Sequence, residues 1–281
     1  MTGTGTQADP YIVDNWPDFV TAIGTSGAYV TFPDTPGVID LNDVAPEGVT
    51  SEITTNCVSI DGKGWSIRNL YSKGAHDVFE IYGNNLTIDA LHFLNLYVDF
   101  QGGSNYCLWH RYSGSGNFVS INNSKFSGIF TNAGSNSSLF HSDGSWERAY
   151  ITSCAFNVKL DSGICIMVGD VALSYFNYTT YKLSGNSSSQ ISGKYFNCLF
   201  TVESASTSVS LSSGSNYNVF DVDFTGATSF SCSAPSGSLN LINSDKLPTG
   251  ATVGTGFVGV TTAQLGDAAY LASLGFPIVE G

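Results

Sequence analysis

Three copies of one pattern decide the fold: ITSCAF at residues 151–156, VALSYF at residues 171–176 and ISGKYF at residues 191–196. In each copy a β-branched residue is followed five positions later by Phe, and Asn comes next. The copies start 20 residues apart. A fixed period with one side-chain pattern is typical of a repeat architecture, in which each unit packs on its neighbours.

The same spacing of five between two apolar residues recurs outside this stretch. Side chains alternate along a straight strand, so residues five apart point to opposite faces. Because both are apolar, we expect the chain to bend between them and both to face one core. The pairs outside the three quoted copies are Ile60/Trp65, Ile88/Phe93, Ile121/Phe126, Val219/Phe224 and Ile242/Leu247.

Each unit also contains a further short apolar run, about a dozen residues after its Phe, as at residues 107–109, 139–140, 164–167 and 209–211. Up to three short strands per unit predict an all-β fold, a parallel β-helix of about eight coils. In this register Phe156, Phe176 and Phe196 form one buried column and Ile151, Val171 and Ile191 form another. The following residues, Asn157, Asn177 and Asn197, would form an amide ladder.

A β-sandwich or an antiparallel barrel is the alternative architecture. Such folds predict turn signals every 8–12 residues or so, with clean alternation along each strand. Hairpin dipeptides of the Asn-Gly or Asp-Gly type are few, as at residues 61–62 and 143–144. The β-helix is therefore favoured.

The two ends of the chain leave the pattern. Residues 1–36 predict an N-terminal cap with a short helix that Asn15 begins and Gly24 ends. Residues 37–247 carry the coils. Residues 248–281 predict a linker and a C-terminal helix over residues 263–274, which Thr262 begins and Gly275 ends.

The coil pattern over about residues 38–247 resembles the right-handed parallel β-helix superfamily, which includes pectate-lyase-like and tailspike-like proteins. GTGTQADPY at residues 3–11 is similar to the entry of many β-helix proteins. DAAYLASLGFPI at residues 267–278 looks like the tails of bacteriophage-encoded β-helix proteins. The resemblance implies the architecture and a virion protein. It implies no particular chemistry, and the tail is equally well explained as a simple C-terminal cap.

The net charge of −13 disfavours sustained binding to nucleic acid or to an anionic membrane. No stretch has the run of about 18 apolar residues that a membrane span needs. The first residues lack the basic and apolar regions of a secretory signal. We therefore expect the chain to be made in the cytoplasm of a host cell and to remain there or to leave as part of an assembled particle.

The six cysteines contain no CxxC pair, which predicts buried free thiols rather than a disulfide framework or a zinc site. We expect no metal and no cofactor. Adjacent aspartates and a Gly-His-Gly segment, which polygalacturonase-like hydrolases carry, are absent from the sequence. Asp221 and Asp223 lie two apart and can both face outward, most simply as solvated acids.

The densest group of polar and aromatic residues follows the third strand of two neighbouring coils. Stacking of the coils would bring His110 close to His141. Aromatic faces beside planar hydrogen-bonding groups suit sugar recognition, and a histidine with a carboxylate can serve in hydrolysis. A surface loop that packs a tryptophan and pairs its charges is the simpler interpretation. The candidates for glycan binding are Trp109, His110, Arg111, His141, Asp143, Trp146, Glu147 and Arg148.

These observations predict a non-enzymatic bacteriophage virion-surface protein, either a tail appendage or a capsid decoration fibre, with host glycans as a candidate ligand. A tailspike-type polysaccharide depolymerase and a bacterial β-helix adhesin are the alternatives. The tailspike-like resemblance also implies a homotrimer that contacts other virion proteins. An outer aromatic stripe and the C-terminal helix are the predicted contact surfaces, through Tyr175, Tyr178, Tyr195, Leu271 and Phe276.

Overall fold

A computed structural model describes residues 1–82, 85–102, 106–111, 117–132, 137–142, 148–160, 164–169, 175–177, 180–184, 194–196, 199–202, 208–210, 217–222, 224–225 and 230–276. It confirms an all-β parallel solenoid with few helices. The paired strands of its four sheets run parallel, and each sheet stacks strands from successive turns. No helix within the described ranges is long and apolar enough to cross a membrane.

Three of the sheets form the walls of the solenoid. Sheet A contains β1 (Tyr11–Ile12), β2 (Tyr29–Thr31), β5 (Ser59–Asp61), β9 (Leu86–Asp89), β12 (Asn117–Asn122), β15 (Arg148–Thr152), β18 (Tyr175–Asn177) and β20 (Lys194–Phe196). Sheet B contains β3 (Val38–Asp40), β6 (Ser66–Arg68), β7 (Tyr71–Lys73), β10 (His92–Asp99), β13 (Lys125–Thr131), β16 (Ala155–Leu160), β19 (Thr180–Ser184), β21 (Leu199–Val202), β23 (Val219–Val222), β25 (Asn240–Asn243) and β26 (Phe257–Val260). Sheet C contains β4 (Ile53–Thr55), β8 (Phe79–Ile81), β11 (Cys107–Arg111), β14 (Ser137–Ser142) and β17 (Ile164–Gly169). Sheet D is the pair β22 (Ser208–Ser210) and β24 (Ser231–Ser233).

The number of complete turns differs from the predicted count of about eight coils. Sheet C has only five described strands, whereas sheet A has eight and sheet B eleven. Five layers, joined by four stacking steps, therefore carry a strand on all three walls, which amounts to about four turns. After β17 the described strands belong to sheets A and B and to the separate pair in sheet D.

The bend predicted between sheets A and B is formed by one residue with left-handed backbone geometry. Ala90, Asn123 and Ser153 have φ of 50°, 51° and 52°, and each lies two positions after an inward Ile of sheet A. One such residue turns the chain from one wall to the next, which resolves the conflict between a spacing of five and strand alternation. The Ile88/Phe93, Ile121/Phe126 and Ile151/Phe156 pairs therefore face one core, as the pattern predicts.

The predicted column of Phe156, Phe176 and Phe196 is wrong. Phe156 lies on sheet B between Phe126 and Tyr181, whereas Phe176 lies on sheet A between Ile151 and Tyr195. The next pairs with the spacing of five are 176/181 and 195/200, because aromatic residues replace the β-branched residue of the earlier turns. Val171 and Ile191 lie outside the described residues.

The predicted amide ladder is also wrong, for the same reason. Asn157 pairs in register with Lys182 on sheet B, and Asn177 pairs with Thr152 and Phe196 on sheet A. Asn197 lies outside the described residues. Phe156 lies on sheet B and Phe176 on sheet A, so the asparagines that follow them also lie on different sheets.

The core consists of side-chain columns that run along the solenoid. The rings of Phe93, Phe126 and Phe156 stack with centroids 5.5 and 4.9 Å apart, and each side chain is buried. On sheet C, Phe79 and Trp109 stack at 4.2 Å, and Trp109 meets Phe93 edge to face. Parallel in-register strands therefore place like side chains above one another, and their contact fills the interior.

The N-terminal helix α1 spans Trp16–Gly24, as predicted. Asn15 caps its start, and the side-chain oxygen of Asn15 accepts a hydrogen bond from the backbone N–H of Asp18 at 3.0 Å. The buried face of α1 joins the solenoid core through Trp16 and Phe19. A second short helix, α2, spans Leu41–Val44. That α1 covers the open end of the solenoid stays a prediction.

The C-terminal helix predicted over residues 263–274 is two short helices instead. A 3-10 turn spans Ser244–Lys246, α3 spans Thr262–Leu265 and α4 spans Ala268–Ser273. The helix is interrupted at Gly266, and the side chain of Asp267 accepts a hydrogen bond from the N–H of Tyr270, which begins α4. No residue of α3 or α4 is buried.

The phenylalanine column predicts a large difference between two substitutions in β13. Phe126→Ala should lower the free energy of unfolding by about 3–5 kcal/mol, because it opens a cavity between Phe93 and Phe156. Lys125→Ala is the control on the same strand, since Lys125 is exposed and does not reach the column. Urea denaturation measures both, and equal losses of stability would contradict the column.

Candidate functional site

A row of polar side chains lies along sheet C, on strands whose apolar residues build the core. Register pairs Glu80 with His110 and His110 with His141. These residues alternate with Phe79, Trp109 and Phe140, which belong to the core cluster, so the polar row occupies the opposite face of the sheet. All three polar side chains are nevertheless buried, with 3%, 2% and 6% of their surface exposed.

The centre of this row is a buried cluster of Asp77, Cys107 and His110. One carboxylate oxygen of Asp77, Oδ1, accepts hydrogen bonds from the backbone N–H of Cys107 at 2.8 Å and from its thiol at 3.4 Å. The other oxygen, Oδ2, lies 2.6 Å from Nδ1 of His110. Each of the three residues is at most 2% exposed. Hydrogen bonds to an ionised group are strong in such a dry environment.

The parallel register brings these three residues together. Phe79 pairs with Trp109 across β8 and β11, so Asp77, two residues before Phe79, lies beside Cys107, two residues before Trp109. The backbone N–H of Val78 donates to the carbonyl of Cys107 at 3.0 Å and continues the ladder. One turn of 30 residues therefore separates the acid from the thiol in sequence, although the two are in contact in space.

The predicted proximity of His110 and His141 is observed. Their rings stack with centroids 4.8 Å apart and an angle of 13° between the ring planes. Arg111 ends the same strand and is 1% exposed, so its guanidinium is also inside the structure. The histidines and the arginine are thus shielded from solvent, although the histidines lie on the face of sheet C opposite the core.

The predicted glycan surface changes because Trp109 is fully buried. Trp109 packs its ring on Phe79 and cannot offer a face to a sugar. Asp143, Trp146 and Glu147 lie outside the described residues, and Arg148 is the first residue of β15. The described candidates Trp109, His110, Arg111 and His141 are therefore buried. His110 belongs to a cluster with Asp77 and Cys107, which the sequence pattern did not indicate.

The predicted outer tyrosine stripe is wrong in register. Tyr175 pairs with Tyr150 and Lys194, whereas Tyr195 pairs with Phe176 in the column that contains the buried Ile151. Tyr178 lies outside the described residues. In the C-terminal tail, Leu271 is half-buried, and the ring of Phe276 lies 5.9 Å from that of Tyr217 in the same chain.

The Asp221 carboxylate is engaged in the solenoid and does not stand alone as a solvated acid. It accepts hydrogen bonds from Nζ of Lys246 and Nδ2 of Asn243, each at 2.7 Å. Partial burial favours a higher pKa for Asp221, but these two hydrogen bonds outweigh burial and hold its pKa below the usual value. Asp223, its predicted partner, lies outside the described residues.

The order of groups in the cluster decides which chemistry it can perform. A cysteine nucleophile is activated when a histidine lies between the thiol and the acid. Here the acid lies between, because Asp77 contacts both Cys107 and His110. This order does not match that of a cysteine nucleophile. The ligating atoms of the three residues lie within 4.8 Å of one another, a spacing at which they could hold a metal ion.

The other buried thiols differ from Cys107 in their surroundings. Burial raises the pKa of Cys57 to about 12 and the pKa of Cys154 to about 11, and both belong to the apolar core cluster. The thiol of Cys154 faces the backbone carbonyls of Ile121 and Thr152. These cysteines therefore pack as small apolar residues, as the sequence predicts.

No family model, no curated protein and no solved structure matches the chain.

Two substitutions of Asp77 should differ in their effect on stability. Asp77→Ala removes the acceptor for the Cys107 N–H and the partner of His110, so we expect a loss of about 3–5 kcal/mol in the free energy of unfolding. Asp77→Asn keeps an acceptor and offers a donor to a neutral imidazole, so its loss should be smaller. Urea denaturation of the two variants tests this order, and the reverse order would contradict it.

Proposed function

We propose that the chain is a non-enzymatic structural protein at the surface of a bacteriophage particle. It would serve as a rigid, right-handed β-helix within a tail appendage or a capsid decoration fibre, in contact with other virion proteins. The parallel solenoid supports rigidity, because each turn is hydrogen-bonded to the next. The resemblance of the C-terminal segment to phage-encoded β-helix proteins supports the location.

The observation that carries the proposal is the way the solenoid uses its carboxylates. At four positions, an aspartate accepts a hydrogen bond from Nδ2 of an asparagine that lies one turn further along the chain. The pairs are Asp40 with Asn69 and Asp89 with Asn123, both at 2.8 Å, Asp99 with Asn132 at 3.0 Å, and Asp221 with Asn243 at 2.7 Å.

Backbone geometry suits these asparagines to the corners of the solenoid. Asn69, Asn123 and Asn132 have φ of 58°, 51° and 51°, a left-handed conformation that asparagine adopts more readily than most residues. Each of these three pairs thus connects two turns at a point where the chain changes direction, whereas Asn243 has an ordinary φ of −69°. Glycosidases instead leave a pair of carboxyl groups facing the bond that they cleave. These acids are therefore better suited to bracing a stack than to hydrolysis.

The polysaccharide depolymerase and the adhesin are the alternative functions, and two assays separate them from the structural role. We expect the purified chain to release no reducing ends from the surface polysaccharide of the bacterial host. Gold-labelled antibodies against the chain should mark intact phage particles in electron micrographs. Release of sugar would favour the depolymerase, and labelling of the bacterial envelope without labelling of particles would favour the adhesin.

The proposed contact with host glycans now depends on Asp143, Trp146 and Glu147, because Trp109 is buried. Trp146→Ala should weaken binding of the chain to host cells without changing its melting temperature. Equal binding of host cells by the parent protein and by Trp146→Ala would contradict the glycan contact and would leave the structural role unaffected.

A homotrimer remains part of the proposal, with a different surface from the predicted one. Tyr71, Tyr97 and Ile129 share one register position on sheet B, and each has 37–41% of its surface exposed. The two tyrosine rings stack at 5.5 Å. These three residues are uncharged, although Lys159 follows Ile129 at the same register position. An uncharged patch of this kind suits contact with further copies of the same chain, because the net charge of −13 opposes association elsewhere.

Light scattering tests this self-association. The chain should have three times the mass of its 29.7 kDa monomer, and Tyr97→Glu should shift it toward the monomer. Tyr82→Glu is the matched control, because Tyr82 is 59% exposed and lies outside this row. A monomeric parent chain would overturn the trimer.

A further inference from the structure

We propose that Asp77, Cys107 and His110 bind one Zn²⁺ ion at their buried site on sheet C. They supply a carboxylate, a thiolate and an imidazole, and each of these groups is a common ligand of zinc in proteins. The mixed donor set with a thiolate favours zinc over magnesium or calcium, which select oxygen ligands.

The distances between the ligand atoms fit a tetrahedral ion after a small adjustment. Zinc bonds of about 2.0 Å to nitrogen or oxygen and about 2.3 Å to sulfur place neighbouring ligand atoms about 3.3–3.5 Å apart. The Cys107 thiol already lies 3.4 Å from Oδ1 of Asp77. Nδ1 of His110 is 2.6 Å from the other oxygen, Oδ2. This contact must open by several tenths of an ångström, and the Asp77 carboxylate must rotate if it binds through one oxygen. All the ligand atoms lie within 4.8 Å of one another.

The charges balance when the ion binds. Zn²⁺ displaces the thiol proton of Cys107, which leaves to solvent, and a zinc–sulfur bond forms. The bound imidazole is neutral and carries its proton on Nε2, so that Nδ1 can bind the metal, and any second proton on the ring leaves to solvent. The charges of the thiolate and the Asp77 carboxylate then cancel those of the ion. A neutral site is needed here, because an uncompensated charge at residues that are at most 2% exposed would be costly.

The ion would join two successive turns of the solenoid. Asp77 precedes β8, whereas Cys107 and His110 lie on β11, one turn later. A fourth ligand, either water or a neighbouring side chain, would complete the tetrahedron. Because the three residues are buried, the ion would enter while the chain folds, and its binding would add directly to the stability of the fold.

Cobalt substitution tests the site in the chain of 281 residues. Cells that express the protein would be grown in minimal medium supplied with Co²⁺ or with Zn²⁺, and the metal content of the purified protein would be measured. We expect one equivalent of metal per chain. The Co²⁺ protein should show the visible bands of a tetrahedral ion and a thiolate-to-cobalt charge-transfer band in the near ultraviolet.

Two cysteine variants assign the signal to this cluster. Cys107→Ser should abolish the charge-transfer band and reduce bound metal to background. Cys154→Ser is the matched control, because Cys154 is also buried but faces backbone carbonyls, so it should keep both signals. A chain that holds no metal, or a band that survives Cys107→Ser and disappears in Cys154→Ser, would overturn the proposal.

X-ray absorption of the unmodified zinc protein covers the case in which Cys107→Ser does not fold. The first coordination shell should contain one sulfur at about 2.3 Å, with nitrogen and oxygen as the remaining ligands. A shell without sulfur, or one with two or more sulfur atoms, would contradict this ligand set. Both tests measure bound metal, so their outcome does not depend on whether the chain belongs to a phage particle.

Discussion

Each turn of the solenoid is fixed to the turns before and after it by parallel backbone hydrogen bonds. Side chains alternate along a strand, so a slip of one residue would turn every core side chain outward. The sheets prevent this slip because inward positions are large and apolar on each wall, as with Ile121 on sheet A, Phe126 on sheet B and Trp109 on sheet C. Backbone pairing and core packing therefore specify the same register.

This register also determines which polar side chains meet between neighbouring turns. A carboxylate at a corner meets an amide one turn later, as Asp89 meets Asn123. The same stacking on sheet C places Asp77 beside Cys107 and His110 beside His141. Because burial removes these groups from water, each must find partners within the stack. A fold built by repetition thus concentrates its titratable groups in layers, and one of these layers contains the three residues of the proposed zinc site.

The spacing of five was sufficient to predict the corner between two walls. It depends only on strand alternation and on the need to bury both residues, as with Ile121 and Phe126. The third strand was also predictable, because apolar runs recur at similar distances after the corner. The proximity of His110 and His141 followed from aligning those runs.

The sequence could not show which aromatic residue belongs to which wall after Phe156. Ile151 is followed on sheet A by Phe176, so an aromatic residue takes a position that β-branched residues hold in earlier turns. A pattern based on residue type then assigns Phe176 to the wrong wall. Burial of Trp109 was missed because tryptophan beside histidine and arginine also suits a surface. Asp77 was missed because its partner lies 30 residues away, and only the exact alignment of turns brings the two together.

Cysteine cross-linking between adjacent turns measures this register most directly. Tyr97 and Ile129 are register partners on neighbouring strands, and both side chains are partly exposed. Parallel neighbours lie about 4.8 Å apart, within the range that a disulfide bridges. In a chain that carries both Tyr97→Cys and Ile129→Cys, mild oxidation should form a disulfide between the two strands. Mass spectrometry after proteolysis would then find the two strand peptides joined. Tyr97→Cys with Lys125→Cys, four positions out of register, should stay reduced. Cross-linking of the second pair but not of the first would contradict the stacking on which the account rests.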